Sequence, residues 1–113
     1  MEHDQWAREI DLAITVCDHQ GIITFMNDQS QQVFASAGGD RLLGSNALEC
    51  HPDRARVKLE KLLRTRQSNC YTLEKNGRCK LICQTPWFED GCFRGLVEFS
   101  IPLPDPLPHF VRD

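Results

Sequence analysis

A histidine beside a cysteine, and a group of thiols further along the chain, are the residues best equipped for chemistry. His51 stands between Cys50 and Pro52. Neutral imidazole is a common metal ligand, and a histidine at a helix entrance can equally cap it or bond nearby backbone groups. Cys70, Cys79 and Cys83 lie close together in a strand-like run. Neighbouring thiols can oxidise, bind a soft metal or hold an iron–sulfur cluster; reduced, they are small buried hydrophobes. The Cys79-x3-Cys83 spacing differs from the loop-borne Cys-x2-Cys knuckles of zinc sites. Trp87 and Phe88 offer flat faces to a planar ligand, or simply complete a core. His3, His19 and His109 fall where exposed or terminal positions are expected, and no role is assigned to them. No acid–base pair, glycine-rich phosphate loop or Ser-His-Asp ordering stands out. The chain therefore reads as a binding module and not as an enzyme.

Composition narrows the partners. The 113 residues suit one domain with one modest core. Hydrophobic residues make up 41% and charged residues 26%, which is globular and not disordered. A net charge of -3, with Lys and Arg interspersed among Asp and Glu, argues against a nucleic-acid face. No apolar run approaches the roughly 20 residues of a membrane span, and Met1-Glu2-His3-Asp4 has no export signature. A cytoplasmic location is expected, with the six cysteines reduced and no disulfide framework.

The elements that must position these residues follow from local patterns. Asp4 can cap a short helix over 4–10, with Trp6 and Ile10 on one stripe. Residues 12–17 and 22–26 read as two strands joined by Asp18-His19-Gln20-Gly21, which is turn chemistry. Asn27 or Asp28 caps a helix running to about Ala37, ended by Gly38-Gly39. Short helical turns fill 40–50. Pro52 suits a helix's first turn, and Ala55, Leu59, Leu62 and Leu63 carry that helix for about three turns.

From residue 69 the pattern changes to strands. Runs 70–75 and 78–87 flank Asn76-Gly77, a strong hairpin signal. Glu89-Asp90-Gly91 makes another turn before a last strand over 93–101. The prolines at 102, 104, 106 and 108 leave the tail extended. The order helix, two strands, several helices, three strands predicts an α+β fold, an antiparallel sheet with helices mainly on one face.

Counting outward from the turn, Cys70 opposes Cys83. One face then carries Cys70, Thr72, Cys79, Leu81 and Cys83, with Glu74 near the turn. This set is expected to wall a cavity. The other face carries Tyr71, Leu73 and Ile82 among Lys75, Arg78, Lys80 and Gln84. It is too apolar for plain solvent, so the Trp6–Ile10 stripe or a second subunit is expected to cover it.

These elements, with the residues that decorate them, resemble the PAS family. The likeness rests on Ile14-Thr15-Val16-Cys17-Asp18, Gly21-Ile22-Ile23, Met26-Asn27, Leu43-Gly44, Asn76-Gly77, Asp90-Gly91, Gly95 and Glu98, and covers about residues 10–102. Cys50-His51-Pro52, followed by Val57, Leu59, Leu62 and Leu63, resembles a PAS subfamily often attached to hemerythrin-like domains. Asp53 stands where that subfamily tends to repeat proline.

The resemblance implies a PAS-like five-stranded antiparallel sheet with helices on one face enclosing a small-ligand cavity. It also implies a homodimer formed through the outer sheet face and the leading helix. The expected organisation is a flanking helix over 1–10, a PAS domain over 11–102 and a proline-rich tail over 103–113. Expected pocket residues are His51, Cys70, Leu81, Cys83 and Trp87. The expected function is sensory or regulatory, through a small-molecule ligand, a signalling partner protein or both, with no nucleic acid and no membrane involved. One alternative is a haem sensor using His51, since gas-sensing PAS proteins hold haem through a histidine near that place. Another is a thiol switch at Cys70 and Cys83. A third is a pure interaction domain whose side chains fill the cavity. Many PAS domains continue from the last strand into a helical linker; Ser100-Ile101-Pro102-Leu103-Pro104 precludes one here.

Overall fold

The computed structural model describes residues 5–50 and 53–113. The strands are β1 (Ala13–Asp18), β2 (Ile23–Met26), β3 (Asn69–Lys75), β4 (Arg78–Glu89) and β5 (Cys92–Pro102). The helices are α1 (Gln5–Arg8), α2 (Asp28–Val33), α3 (Ala47–Cys50) and α4 (Asp53–Thr65). All strand pairings are antiparallel, in the order β2-β1-β5-β4-β3. The last strand is thus central, flanked by the first hairpin on one side and the second on the other.

Local chemistry accounts for each junction. The Asp18 carboxylate accepts from the backbone N–H groups of Gln20 and Ile22, both at 2.9 Å, and so closes the β1–β2 turn. Asn76 and Gly77 both adopt positive φ, 55° and 74°, as the primed two-residue hairpin turn requires. Asn27 caps α2 by accepting from the Ser30 N–H. The helix expected to reach Ala37 stops at Val33 and gives way to two 3₁₀ turns, Ala35–Ala37 and Gly39–Leu42.

Helix α4 buries Leu59 and Leu62 and leaves Val57 exposed, in keeping with the stripe read from its spacing. Those two leucines join Cys17, Ile23, Met26, Ala47 and Leu96 in one core between the sheet and the helices. The loop before α3 lies along β2, with Gly44 donating to the Ile23 carbonyl and Ile23 to that of Ser45. The helical layer is thereby tied to the edge of the sheet.

The helices cover the face of the second hairpin opposite to the one expected. β4 pairs with β5 so that Gln84 meets Glu98 and Ile82 meets Ser100, and β5 in turn sets Glu98 against Thr15 and Leu96 against Cys17. Thr15, Cys17, Leu96, Glu98 and Gln84 face the helices. Cys70, Leu81 and Cys83, one residue out of phase, lie on the outer face with Val97 and Phe99. The two-residue period had sorted the side chains into faces but could not show which face the intervening helices would close. Small thiols looked like core, whereas an amide and a lysine looked like solvent-facing residues.

Helix α1 is held at the other end of the sheet. Asn27 Nδ2 donates to the Ala7 carbonyl, Arg8 donates to that of Met26, and the Arg8 guanidinium lies 4.8 Å from the centre of the Phe25 ring.

Candidate functional site

Between the sheet and the helices is a cavity of about 270 Å³. Its floor comes from Thr15, Cys17, Leu96, Glu98 and Gln84. Ile23 and Met26 supply one wall, and Phe34, Ala37, Leu42, Ala47 and Leu59 the roof. A second hollow of about 230 Å³ shares Thr15, Phe34 and Glu98 with it and extends towards Tyr71, Leu73, Lys80 and Ile82. Glu98 therefore sits where the two meet.

The polar edge of the cavity is built by cross-strand pairing. Asn69, Gln84, Glu98 and Thr15 form a row across β3, β4, β5 and β1 because each is registered with the next. Asn69 Nδ2 donates to Gln84 Oε1 at 2.9 Å, and Gln84 Nε2 donates to Glu98 Oε2 at 2.9 Å. The Thr15 hydroxyl is hydrogen-bonded to that of Ser30, which is itself fully buried in α2. The rest of the lining is largely apolar.

Two ionisable groups respond to this setting. Burial pushes the Cys17 thiol above its ordinary value; a hydrogen bond with the Leu96 backbone opposes the rise, and the charges of Asp18 and Glu98 add to it. Tyr71 is raised by burial and then by the Glu98 charge.

The expected pocket residues that are among the described ones are not brought together here. Cys70, Leu81, Cys83 and Trp87 are absent from the linings of both hollows. Cys70 and Cys83 do oppose one another as expected, and the Cys83 thiol is raised first by its hydrogen bond with Cys70. Trp87 pairs with Gly95, its indole N–H 3.5 Å from the Cys17 carbonyl. His51 and Pro52 lie outside the described residues. Sequence reasoning had passed over Glu98, Gln84 and Asn69 as site residues. The available signal was a carboxylate inside the apolar run Leu96-Val97-Glu98-Phe99, on a strand that pairs on both sides.

The sheet order and the helices closing over one face define a PAS architecture. The profile described as the PAS fold matches residues 8–103, and the chain belongs to that family. Similar solved structures include a C-terminal domain from Streptococcus mutans, 22% identical, covering 88% of this chain and 81% of that one, with a TM-score of 0.72. The PAS domain of histidine kinase ThkA is 19% identical, covering 80% and 97%, with a TM-score of 0.63. The Aer2 receptor from Vibrio cholerae, a dual PAS-heme oxygen sensor, is 15% identical, covering 82% and 95%, with a TM-score of 0.60. At these identities the likeness concerns the fold. No curated protein matches the chain in sequence. Among the described residues no helix is long and apolar enough to cross a membrane.

Proposed function

We propose that the chain is a non-catalytic sensory or regulatory module that responds to a small molecule in its cavity and works as a homodimer in the cytoplasm. Residues 11–102 form the sensory unit in this reading, with 1–10 as a flanking segment and 103–113 as a tail. The observation that carries it is the cavity itself, apolar around most of its wall and polar along one edge. Its volume of about 270 Å³ lies just below the ~300–1,000 Å³ usual for small-molecule sites, which suits a compact ligand. Two of the similar structures come from a histidine kinase and an oxygen sensor, which favours a signalling role for this chain as well.

The route from ligand to output follows from strand alternation. Leu96 and Glu98 border the cavity, while Val97 and Phe99 between and beside them face outward. A ligand that binds two positions of β5 unequally shifts the outer surface with it. Native mass spectrometry of freshly purified protein tests the reading. Retention of a small molecule, lost on mild unfolding, is expected. A chain of bare polypeptide mass, unresponsive to every small molecule offered, would overturn the ligand reading and leave a pure interaction domain or a thiol switch.

The haem alternative rests on His51, and the likeness of Cys50-His51-Pro52 to the hemerythrin-associated subfamily belongs with it. Absorption near the Soret region after haem addition, lost in His51→Ala, would support it.

A thiol switch is favoured by one specific observation. A two-residue turn makes Lys75 and Arg78 a hydrogen-bonded pair, so alternation makes Cys70 and Cys83 a non-hydrogen-bonded one. Such pairs bring Cα atoms to about 4.5 Å, within the disulfide range of about 4.4–6.8 Å. Oxidation by a small disulfide would join the two sulfurs, the thiols losing two protons and passing two electrons to the oxidant, which leaves as two thiols.

A further inference from the structure

Glu98 brings a carboxylate to a cavity whose lining, among the described residues, includes no Lys, Arg or His. Oε2 is engaged by Gln84, and Gln84 is committed as the donor because its own oxygen already accepts from Asn69. The relay thus runs in one direction and points its last donor at Glu98. Among the described residues no Lys, Arg or His lies within 4.0 Å of this carboxylate; the ion pairs they form are Arg56–Asp53 and Arg94–Glu89. Lys80 does not line this cavity; it lines the neighbouring hollow that Glu98 also borders, four residues along β4 from Gln84. The Thr15 hydroxyl is hydrogen-bonded to that of Ser30. What borders the cavity is accordingly an anionic acceptor, Glu98, among largely apolar lining residues.

We propose that the cavity selects small organic cations: a protonated amine or amidine on a compact apolar body. The cationic head would donate to Glu98 while Ile23, Met26, Phe34, Leu42 and Leu59 enclose the body. In surroundings of low dielectric, opposite charge at hydrogen-bond distance is strongly favoured and like charge strongly opposed. Carboxylates and phosphates, which would meet Glu98 head on, are therefore rejected. This inference rests on the cavity being a ligand site, and it specifies the ligand's charge.

The test measures binding by thermal shift and calorimetry with shape-matched probes. Benzylamine, 2-phenylethylamine and cyclohexylamine form the cationic set. Benzoate, phenylacetate and cyclohexanecarboxylate form the anionic set. At least one amine is expected to bind about tenfold or more tightly than its matched carboxylate, with the preference falling as salt rises. The isosteric E98Q variant should lose that preference, and Ala47→Met, which intrudes on the cavity, should weaken all binding. Carboxylates binding as well as amines, or an amine preference that survives E98Q, would overturn the cationic assignment and leave the ligand site standing. Silence towards both sets would overturn the assignment and count against the cavity as a ligand site as well. If E98Q does not fold, the charge preference of the native protein and its salt dependence still decide.

Discussion

The side-chain amide of Asn27 donates to the carbonyl of Ala7, 2.9 Å away and 20 residues earlier in the chain. The same nitrogen donates to the Leu12 carbonyl at 2.8 Å, while Oδ1 accepts from the N–H groups of Ile14 and Ser30. One residue with no solvent exposure thus joins α1, β1 and α2. An ordinary helix cap would need only the bond to Ser30. Asn27→Ala should therefore cost about 2–4 kcal/mol, because several buried backbone groups lose their partners together. Urea denaturation measures this. A loss below about 1 kcal/mol, the usual value of a lone cap, would contradict the network's role.

Gly95 has φ of 152°, and a Cβ there would run into the Cys17 carbonyl and lie 2.7 Å from the carbonyl carbon of Asp18. Both obstacles are backbone of the neighbouring strand and cannot rotate away. Gly95→Ala should force β1 and β5 apart and lower the thermal midpoint sharply, a loss of about 3 kcal/mol or more. Soluble protein with a native midpoint would show that the strands separate at little cost.

Leu59 and Leu62 are both buried on α4, but only Leu59 borders the cavity. A side chain beside a void has already forfeited contacts, so truncating it removes less packing. Leu62→Ala should cost about 2–4 kcal/mol and Leu59→Ala less, whereas Leu59→Ala should change ligand affinity more. Paired denaturation and binding curves check the crossed pattern, and parallel effects would refute it.

Cys17, Tyr71 and Cys83 all have raised pKa values in the fold, so each is neutral there at pH values where the unfolded chain has begun to ionise. The unfolded chain then holds fewer protons than the folded one, and stability falls as pH rises. The stabilisation is present in full below about pH 8 and declines from about pH 9 upward, the range of ordinary thiol ionisation. Denaturation midpoints across that range should show the decline, shallower in Cys17→Ala. Stability constant up to pH 10 would contradict it.

The outer face carries Val97, Phe99, Leu81 and Cys83 in neighbouring register. A charge placed there opposes burial against a second copy, so Val97→Lys should shift a dimer to monomer in sedimentation while leaving the circular dichroism spectrum native. Unchanged sedimentation would move any dimer contact elsewhere.

Much of the fold was legible because its instructions are local. Asn76-Gly77 could hardly be other than a primed turn, α4 shows its buried stripe at helical spacing, and an Asp18–Gly21 turn needs only its own side chains. The opposition of Cys70 and Cys83 followed from the turn by counting. Beyond that range the sequence fell silent on direction. Alternation along β4 separated Gln84 from Cys83, but the helices of residues 28–65 chose between them by closing over Gln84. The same closure brought Glu98 into the cavity, while strand register set Asn69, 29 residues upstream of it, at the far end of its hydrogen-bonded row. Spacing encodes which residues share a face, since a strand's period is set by its own backbone. Which face becomes the inside depends on how distant segments pack, and that was decided only in three dimensions.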